Sequence, residues 1–122
     1  MSANAVDSSG WLEYFADTRR ARLFAAAIED TERLIVPVIT IYEVFKKMLK
    51  ERGEDDALQA VSAMRSGRVI DLDLPLALDA ARLSLPLADS LIYATALRHD
   101  ALLWTQDEDF DGLPGVRYFA KR

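Results

Sequence analysis

The chain contains no cysteine and only one histidine, His99. Disulfide frameworks and thiolate metal sites are therefore excluded, and so are metal sites built from several histidines. A triad that depends on a histidine base is also disfavoured, because it has a single candidate. If the chain holds a metal ion, the ligands must be oxygen atoms, which favours Mg²⁺, or Mn²⁺ as a substitute, over Zn²⁺.

No apolar run approaches the roughly 20 residues needed to cross a bilayer. The first residues, Met1 to Val6, lack a basic segment followed by an apolar one. We therefore expect no membrane association, no secretory signal and a cytoplasmic location. The chain has 122 residues, of which 51% are hydrophobic and 29% charged, and it shows no repeats or linkers. These features predict one globular domain spanning residues 1–122.

Short apolar runs alternate with amphipathic segments along the chain. The runs that predict strands are Ala3–Val6, Leu34–Val36, Val69–Leu72, Leu102–Trp104 and Val116–Phe119. One helix is predicted after Ser8 or Ser9, either of which would cap it. Further helices are predicted over residues 19–29, 40–50, 54–64, 75–83 and 86–99. This alternation favours a three-layer α/β/α sandwich with a mainly parallel central sheet, whose strand order the pattern does not give.

Four carboxylates stand where a predicted strand gives way to a helix or turn: Asp7, Glu43, Asp89 and Asp107. In one parallel sheet, the carboxyl ends of the strands lie at one edge, where open α/β folds bind ligands. Like charges gathered at that edge repel one another unless a divalent cation neutralises them. The arrangement therefore indicates a metal-dependent enzyme.

The first two carboxylates also have a structural explanation. Asp7 could cap the helix that follows it, although Ser8 and Ser9 could do so as well. Glu43 fits a capping box with Thr40, in which its carboxylate would bond to the start of the helix. A capping role and a catalytic role compete for the same carboxylate of Glu43, so the structure can separate them.

The other two carboxylates are similarly ambiguous when taken singly. Asp89 would interact favourably with the dipole of an apolar helix in whose first turn it lies. Asp107 belongs to an acidic turn in which Asp109 is a second candidate ligand, and the hydroxyl of Thr105 could orient a carboxylate or a metal-bound water. A joint role is favoured because all four acids stand where a predicted strand gives way to a helix or turn.

The net charge of −5 argues against a nucleic-acid partner, because phosphate binding needs positive charge. Neutralising the four carboxylates would nevertheless leave the chain close to neutral. Basic clusters remain at residues 19–22, 46–52 and 121–122, and the candidate contacts to RNA are Lys46, Lys47 and Arg98. The alternative is that these clusters are solvated helix faces.

These residues, in this order, resemble the PIN-domain family of Mg²⁺-dependent ribonucleases, and in particular the VapC-type toxins of prokaryotic toxin–antitoxin pairs. The similar segments are residues 6–15, 37–47, 85–96 and 103–110, which together extend over nearly the whole chain. The resemblance implies a PIN-like fold and the hydrolysis of RNA phosphodiester bonds. It also implies an antitoxin protein that masks the site and a homodimer of toxins.

The resemblance assigns Asp7, Asp89 and Asp107 to the metal, partly through water. Glu43 would bind a second ion or hold the attacking water, and either one or two ions fit. Asp109 is the alternative to Asp107 as the fourth ligand. Ser8 and Thr105 are candidate supporting residues.

Other functions fit the sequence less well. A phosphatase acting through an aspartyl phosphate would place a second aspartate two residues after Asp7, where the chain has Ser9. A dinucleotide-binding protein would carry Gly-x-Gly-x-x-Gly after the first strand, and this motif is absent. The main alternative is a catalytically weakened PIN-like domain that acts as a protein-interaction module.

Overall fold

The computed structural model describes residues 2–121. Its strands are β1 (Ala3–Val6), β2 (Ile35–Pro37), β3 (Arg68–Ile70), β4 (Ala101–Thr105) and β5 (Val116–Tyr118). Its helices are α1 (Ser8–Phe15), α2 (Ala21–Glu29), α3 (Val38–Arg52), α4 (Glu54–Met64), α5 (Leu74–Ala81) and α6 (Leu87–Arg98). A short 3₁₀ helix, Glu108–Phe110, follows β4 and is called the 3₁₀ turn below.

The strands pair in parallel throughout. β1 pairs with β4 and β4 with β5, whereas β2 pairs with β3. An isolated parallel bridge between Asn4 and Leu34 joins the two sheet segments, so the strands follow the order β3-β2-β1-β4-β5. The strand order reverses between β1 and β4, and the crevice at the carboxyl ends of two such strands is where open α/β folds bind ligands.

Alternate residues of the strands pack against opposite layers of helices. Val6 and Val36 belong to a buried cluster that includes residues of α1 to α4. Their neighbours Ala5 and Ile35 belong to a second cluster, which includes residues of α6. This period of two makes both faces of the sheet apolar. The predicted three-layer sandwich with a parallel sheet is therefore confirmed.

Helix α6 is enclosed by the rest of the fold, since the seven consecutive residues Ser90–Ala96 are all buried. One side packs on the sheet cluster through Ile92, and another packs through Leu91 on Leu76 of α5. This enclosure fixes the position of Asp89 in the first turn of α6. Within residues 2–121, no helix combines the length and the apolar character needed to cross a membrane.

Some element boundaries differ from those predicted. Helix α3 begins at Val38 rather than Thr40, directly after Pro37, whose φ of −58° already suits the start of a helix. Strand β3 ends at Ile70 rather than Leu72, because its partner β2 ends at Pro37, which pairs with Ile70. Residues 19 and 20 form a turn before α2 instead of its first residues.

Candidate metal centre

Asp7 follows β1 directly and caps α1. Its side chain accepts a hydrogen bond from the backbone N–H of Gly10 at 3.0 Å, which satisfies a donor at the helix start. Of the candidate caps, Asp7 is therefore confirmed, and Ser8 or Ser9 as the cap is wrong. Both serines lie inside the helix, and Ser9 Oγ instead donates to Asp7 Oδ1 at 3.0 Å.

The Asp7 carboxylate is buried, at 3% exposure, and is held from several sides. Thr105 Oγ1 donates to its Oδ2 at 2.6 Å, in addition to the bonds from Ser9 and Gly10. Burial raises the pKa of Asp7 to about 6, and the negative charge of Asp107 adds to this effect. The hydrogen bonds oppose the shift because they favour the ionised form, so they limit the rise in pKa.

Thr105 connects the ends of the two central strands. It is the last residue of β4, and its hydroxyl accepts from the backbone N–H of Asp107 at 2.9 Å while donating to Asp7. Asp107 then caps the 3₁₀ turn by accepting from the N–H of Asp109 at 2.9 Å. The pairing of β1 with β4 thereby brings Asp7 and Asp107 together across almost the full length of the chain.

Asp107 also belongs to a group of three carboxylates that converge from two segments, the start of α6 and the 3₁₀ turn. Asp89, Asp107 and Asp109 each offer an oxygen atom within 4.8 Å of the others. Burial raises the pKa of Asp89 to about 7, followed in importance by the charge of Asp107 and by a hydrogen bond with Asp109. The charge of Glu43 also contributes to the raised pKa of Asp89, so Glu43 lies in the same electrostatic neighbourhood.

The capping box predicted for Thr40 and Glu43 does not form. Because α3 begins at Val38, Thr40 lies within the first turn, and its buried hydroxyl has no hydrogen-bond partner within the described part of the chain. The Glu43 carboxylate instead accepts from Ser8 Oγ at 2.9 Å. This bond holds Glu43 of α3 against Ser8 of α1, the residue that directly follows Asp7.

The five acids form one group, which we call the acidic cluster: Asp7, Glu43, Asp89, Asp107 and Asp109. Its donor atoms are all carboxylate oxygens, the ligands that hard divalent cations such as Mg²⁺ prefer. The distances among Asp89, Asp107 and Asp109 fit simultaneous contact with one ion. The residues present thus fit the metal that the sequence predicts, and a cation would relieve the repulsion that raises the pKa of Asp89.

The PIN domain family model matches residues 5–116, a span that contains the whole acidic cluster. The chain belongs to the PIN domain family. The predicted resemblance to this family is thereby confirmed. None of the curated proteins compared with this PIN domain matches it significantly.

Several solved structures share the fold of this PIN domain. A chain of a toxin–antitoxin complex from Klebsiella pneumoniae aligns with a TM-score of 0.80 at 25% identity, covering 98% of this chain and 100% of that one. VapC20 from Mycobacterium tuberculosis, described as a Sarcin-Ricin loop cleaving toxin, aligns with a TM-score of 0.75 at 17% identity, covering 92% of this chain and 95% of that one. A chain of DNA-bound VapBC from Salmonella typhimurium aligns with a TM-score of 0.74 at 17% identity, covering 98% of both chains.

The two candidate RNA-binding lysines lie on α3 of the PIN domain, about one turn after Glu43. Both are exposed. The ammonium group of Lys46 lies 5.6 Å from the ring centroid of Tyr42, and that of Lys47 lies 3.2 Å from a carboxylate oxygen of Glu51. Such exposed contacts contribute little to stability.

Arg98, the third candidate for RNA contact, lies at the opposite end of α6 from Asp89. Nine residues separate them in one helix, a distance of about 13 Å at 1.5 Å per residue. Its guanidinium pairs with Asp73 at 3.0 Å and lies 3.8 Å from Asp79 on α5. The ion pair gives Arg98 a local role that sequence reasoning did not include.

Sequence reasoning missed Gln106, which lies between Thr105 and Asp107 and is 3% exposed. Its amide is bonded to Glu13 at 2.8 Å and to Arg20 at 2.5 Å. The signal that could have identified Gln106 is that it is an uncharged residue with a long polar side chain beside the acidic turn. Its partners were hidden because they lie 93 and 86 positions away in the chain.

Proposed function

We propose that this PIN domain is a metal-dependent endoribonuclease that hydrolyses RNA phosphodiester bonds, with Mg²⁺ as cofactor and Mn²⁺ as a substitute. The observation that carries the proposal is the convergence of Asp89, Asp107 and Asp109 within 4.8 Å at the carboxyl edge of the sheet. Asp7 and Glu43 flank them. Carboxylates this close are unfavourable alone, and a divalent cation removes the penalty.

The side chains of the acidic cluster have separate proposed roles. Asp89, Asp107 and Asp109 supply ligand oxygens. Asp7, which is held by its hydrogen bonds from Thr105 and from the Gly10 N–H, supplies another oxygen directly or through water. A bound Mg²⁺ would supply a Lewis acid, which polarises the scissile phosphate and lowers the pKa of an attacking water. Glu43 is held in place by Ser8 Oγ at 2.9 Å, and we assign it to orienting that water or binding a second ion.

Binding of RNA is proposed to involve the exposed basic residues of α3. Lys46 and Lys47 lie about one turn after Glu43 and carry positive charge next to a negative site. A phosphate backbone approaching the cluster would gain from these charges once a cation has neutralised the acids. Arg98 stays a further candidate contact, although it is paired with Asp73 and lies at the far end of α6 from Asp89. An RNA substrate would place the activity in the cytoplasm.

We further propose that the chain is the toxin of a toxin–antitoxin pair and forms a homodimer. Solved structures with this fold include toxin–antitoxin complexes from Klebsiella pneumoniae and Salmonella typhimurium, which supports a cognate antitoxin. The support for self-association is an apolar surface on and beside α5. Leu72, Leu74 and Leu78 are 46%, 71% and 49% exposed there.

The alternative function is a catalytically weakened domain that serves only as an interaction module. Such a domain would tolerate a dispersed or partly replaced acidic cluster. Here the cluster instead includes a 3%-exposed aspartate, Asp7, that is held by Thr105 at 2.6 Å. Burying a carboxylate in this way costs free energy, and such groups are typical of functional sites. The buried Asp7 therefore favours a working metal site over a weakened one.

Substitution of the central acids tests the proposal. In Asp7→Asn and Asp89→Asn, Mg²⁺-dependent cleavage of RNA should fall by more than about 100-fold, since even residues that only orient metal ligands contribute 10–100-fold. Initial rates on a labelled RNA pool, with and without EDTA, measure the change. Asp79→Asn, the same change at an exposed acid of α5, should retain activity. Full Mg²⁺-dependent cleavage by both site variants would reject the proposal.

A further inference from the structure

Gln106 bridges two oppositely charged side chains next to the acidic cluster. Its Nε2 donates to Glu13 Oε2 at 2.8 Å, and its Oε1 accepts from Arg20 Nε at 2.5 Å. A guanidinium can only donate and an ionised carboxylate can only accept. The two neighbours therefore dictate which end of the amide points where, and both ends are engaged.

The partners of Gln106 are themselves anchored to other parts of the fold. Glu13, on α1, also accepts from Thr18 Oγ1 at 2.8 Å. Arg20, before α2, also donates through Nη2 to the carbonyl of Phe119 at 3.1 Å, just after β5. The Arg20 and Glu13 side chains are each only 21% exposed, so water competes weakly for these bonds. Gln106 thus ties the end of β4 to α1, α2 and the end of β5.

The residues on either side of Gln106 belong to the proposed metal site. Thr105 bonds to Asp7, and Asp107 is one of the three converging carboxylates. Within the 3₁₀ turn, the backbone N–H groups of Asp107 and Asp109 donate to nearby side chains, those of Thr105 and Asp107, and the Asp109 side chain also has a hydrogen bond with Asp89. The charge of Asp107 repels that of Asp89. Buried Phe110 packs the end of the turn into the core, and the Gln106 bridge ties the segment before the turn to α1, α2 and the end of β5.

We infer that Gln106 is a positioning residue that, through Glu13 and Arg20, holds Asp107 and Asp109 at the spacing from Asp89 that one divalent cation requires. This inference rests on the proposed metal-dependent function, because the positioned acids are its proposed ligands. Displacement of a reacting group by about 1 Å can cost about 100-fold in rate. A bridge that prevents such a displacement therefore contributes to metal binding and catalysis without touching the metal or the RNA.

Mn²⁺ affinity measured by electron paramagnetic resonance tests the inference in protein that circular dichroism shows to be folded. Gln106→Leu keeps a similar volume but removes both hydrogen bonds, and should weaken Mn²⁺ binding by about 10-fold or more. The kcat for RNA should fall by a similar factor while KM changes little. Tyr14→Phe is the matched control: it removes a 2.8 Å bond between α1 and Glu29 of α2, leaves the 3₁₀ turn alone, and should not alter Mn²⁺ affinity.

An exchange of bonding partners distinguishes positioning from general stability. Gln106→Glu sets a second carboxylate against Glu13 and should weaken Mn²⁺ binding. The double variant Glu13→Gln/Gln106→Glu again pairs a donor with an acceptor and keeps an acceptor for Arg20, so its Mn²⁺ affinity should recover. Failure of this recovery in folded protein would overturn the inference, even if Gln106→Leu does not fold.

The same measurements separate this inference from the proposed function. If folded Gln106→Leu binds Mn²⁺ and cleaves RNA as well as the unmodified protein, the positioning role is overturned and the nuclease proposal stands. If the unmodified protein binds Mn²⁺ but cleaves no RNA, the nuclease proposal fails, and the affinity series still decides the role of Gln106. A protein that binds no Mn²⁺ at all overturns both.

Discussion

Asp7 and Asp89 each carry a carboxylate in surroundings that disfavour its charge. Burial raises the pKa of Asp7 to about 6 and that of Asp89 to about 7, from ordinary values near 3.8. At pH values between the ordinary pKa of 3.8 and these raised pKa values, the folded protein binds more protons than the unfolded chain. The contribution of these two groups to the free energy of unfolding of the metal-free protein is therefore greatest below about pH 3.8 and is lost as pH rises through the raised pKa values.

Asp89→Asn isolates this effect at one residue. Without metal, the variant should unfold at a higher temperature than the unmodified protein at about pH 8, because a repelled charge has been removed. The advantage should shrink as pH falls below the raised pKa of Asp89 and vanish only at about pH 3, where Asp89 is protonated in the unfolded chain as well. Calorimetry in EDTA at both pH values measures the difference, with Asp79→Asn as a control that should show no such pH-dependent gain. Equal melting temperatures at pH 8 would show that Asp89 is not destabilised by its neighbours.

At the scale of single residues, the sequence indicated the five acids and the supporting residues Ser8 and Thr105, but not which acid each of these hydroxyls would bond. The cap of α1 stayed open between Asp7 and a serine because a shift of one residue in the helix start decides which of them is the cap. Gln106 was missed because nothing local marks its bonds to Glu13 and Arg20. Whether the acids perform the proposed catalytic roles stays a prediction.

At the scale of elements, α1 packs closely on β1 and α2 at Gly10. A Cβ atom at this position would lie 2.6 Å from Val6 Cγ1 and 2.8 Å from Phe24 Cδ1. The N–H of Gly10 also donates the capping bond to Asp7. The small residue therefore allows the helix that follows Asp7 to lie directly against the strand that precedes it.

Gly10→Ala should destabilise the fold, although helix propensity alone predicts the opposite. Alanine favours a helix interior by about 1 kcal/mol over glycine. Overpacking against Val6 and Phe24 costs typically about 1–3 kcal/mol and should outweigh that gain. The free energy of unfolding from urea denaturation measures the result. A variant as stable as the unmodified protein, or more so, would mean that the packing at α1 relaxes freely.

The elements themselves were largely predictable from the sequence. The apolar run Ala3–Val6 and the helical pattern of residues 54–64 reflect burial that each segment requires for itself, and β1 and α4 begin and end where predicted. The start of α3 and the end of β3 were wrong by two residues each, because they depend on Pro37 and on where a neighbouring strand stops. Boundaries set by a partner are not encoded in the segment alone.

At the scale of the whole molecule, the candidate site is a product of strand order. The order β3-β2-β1-β4-β5 makes β1 and β4 neighbours, which brings Asp7 next to Asp107. Hydrophobic periodicity establishes that strands exist but does not specify which strands pair, so the order could not be derived from the pattern. The enclosed helix α6 then delivers Asp89 to the same edge, opposite the 3₁₀ turn.

The most direct test of this account is the anomalous scattering of Mn²⁺ in crystals of the protein. A peak is predicted within about 2.1 Å of carboxylate oxygens of Asp89 and of Asp107 or Asp109, at the carboxyl ends of β1 and β4. Asp7 should contact the same ion directly or through water. An acidic cluster that remains without Mn²⁺ at saturating concentration, or an ion bound away from these residues, would contradict the account.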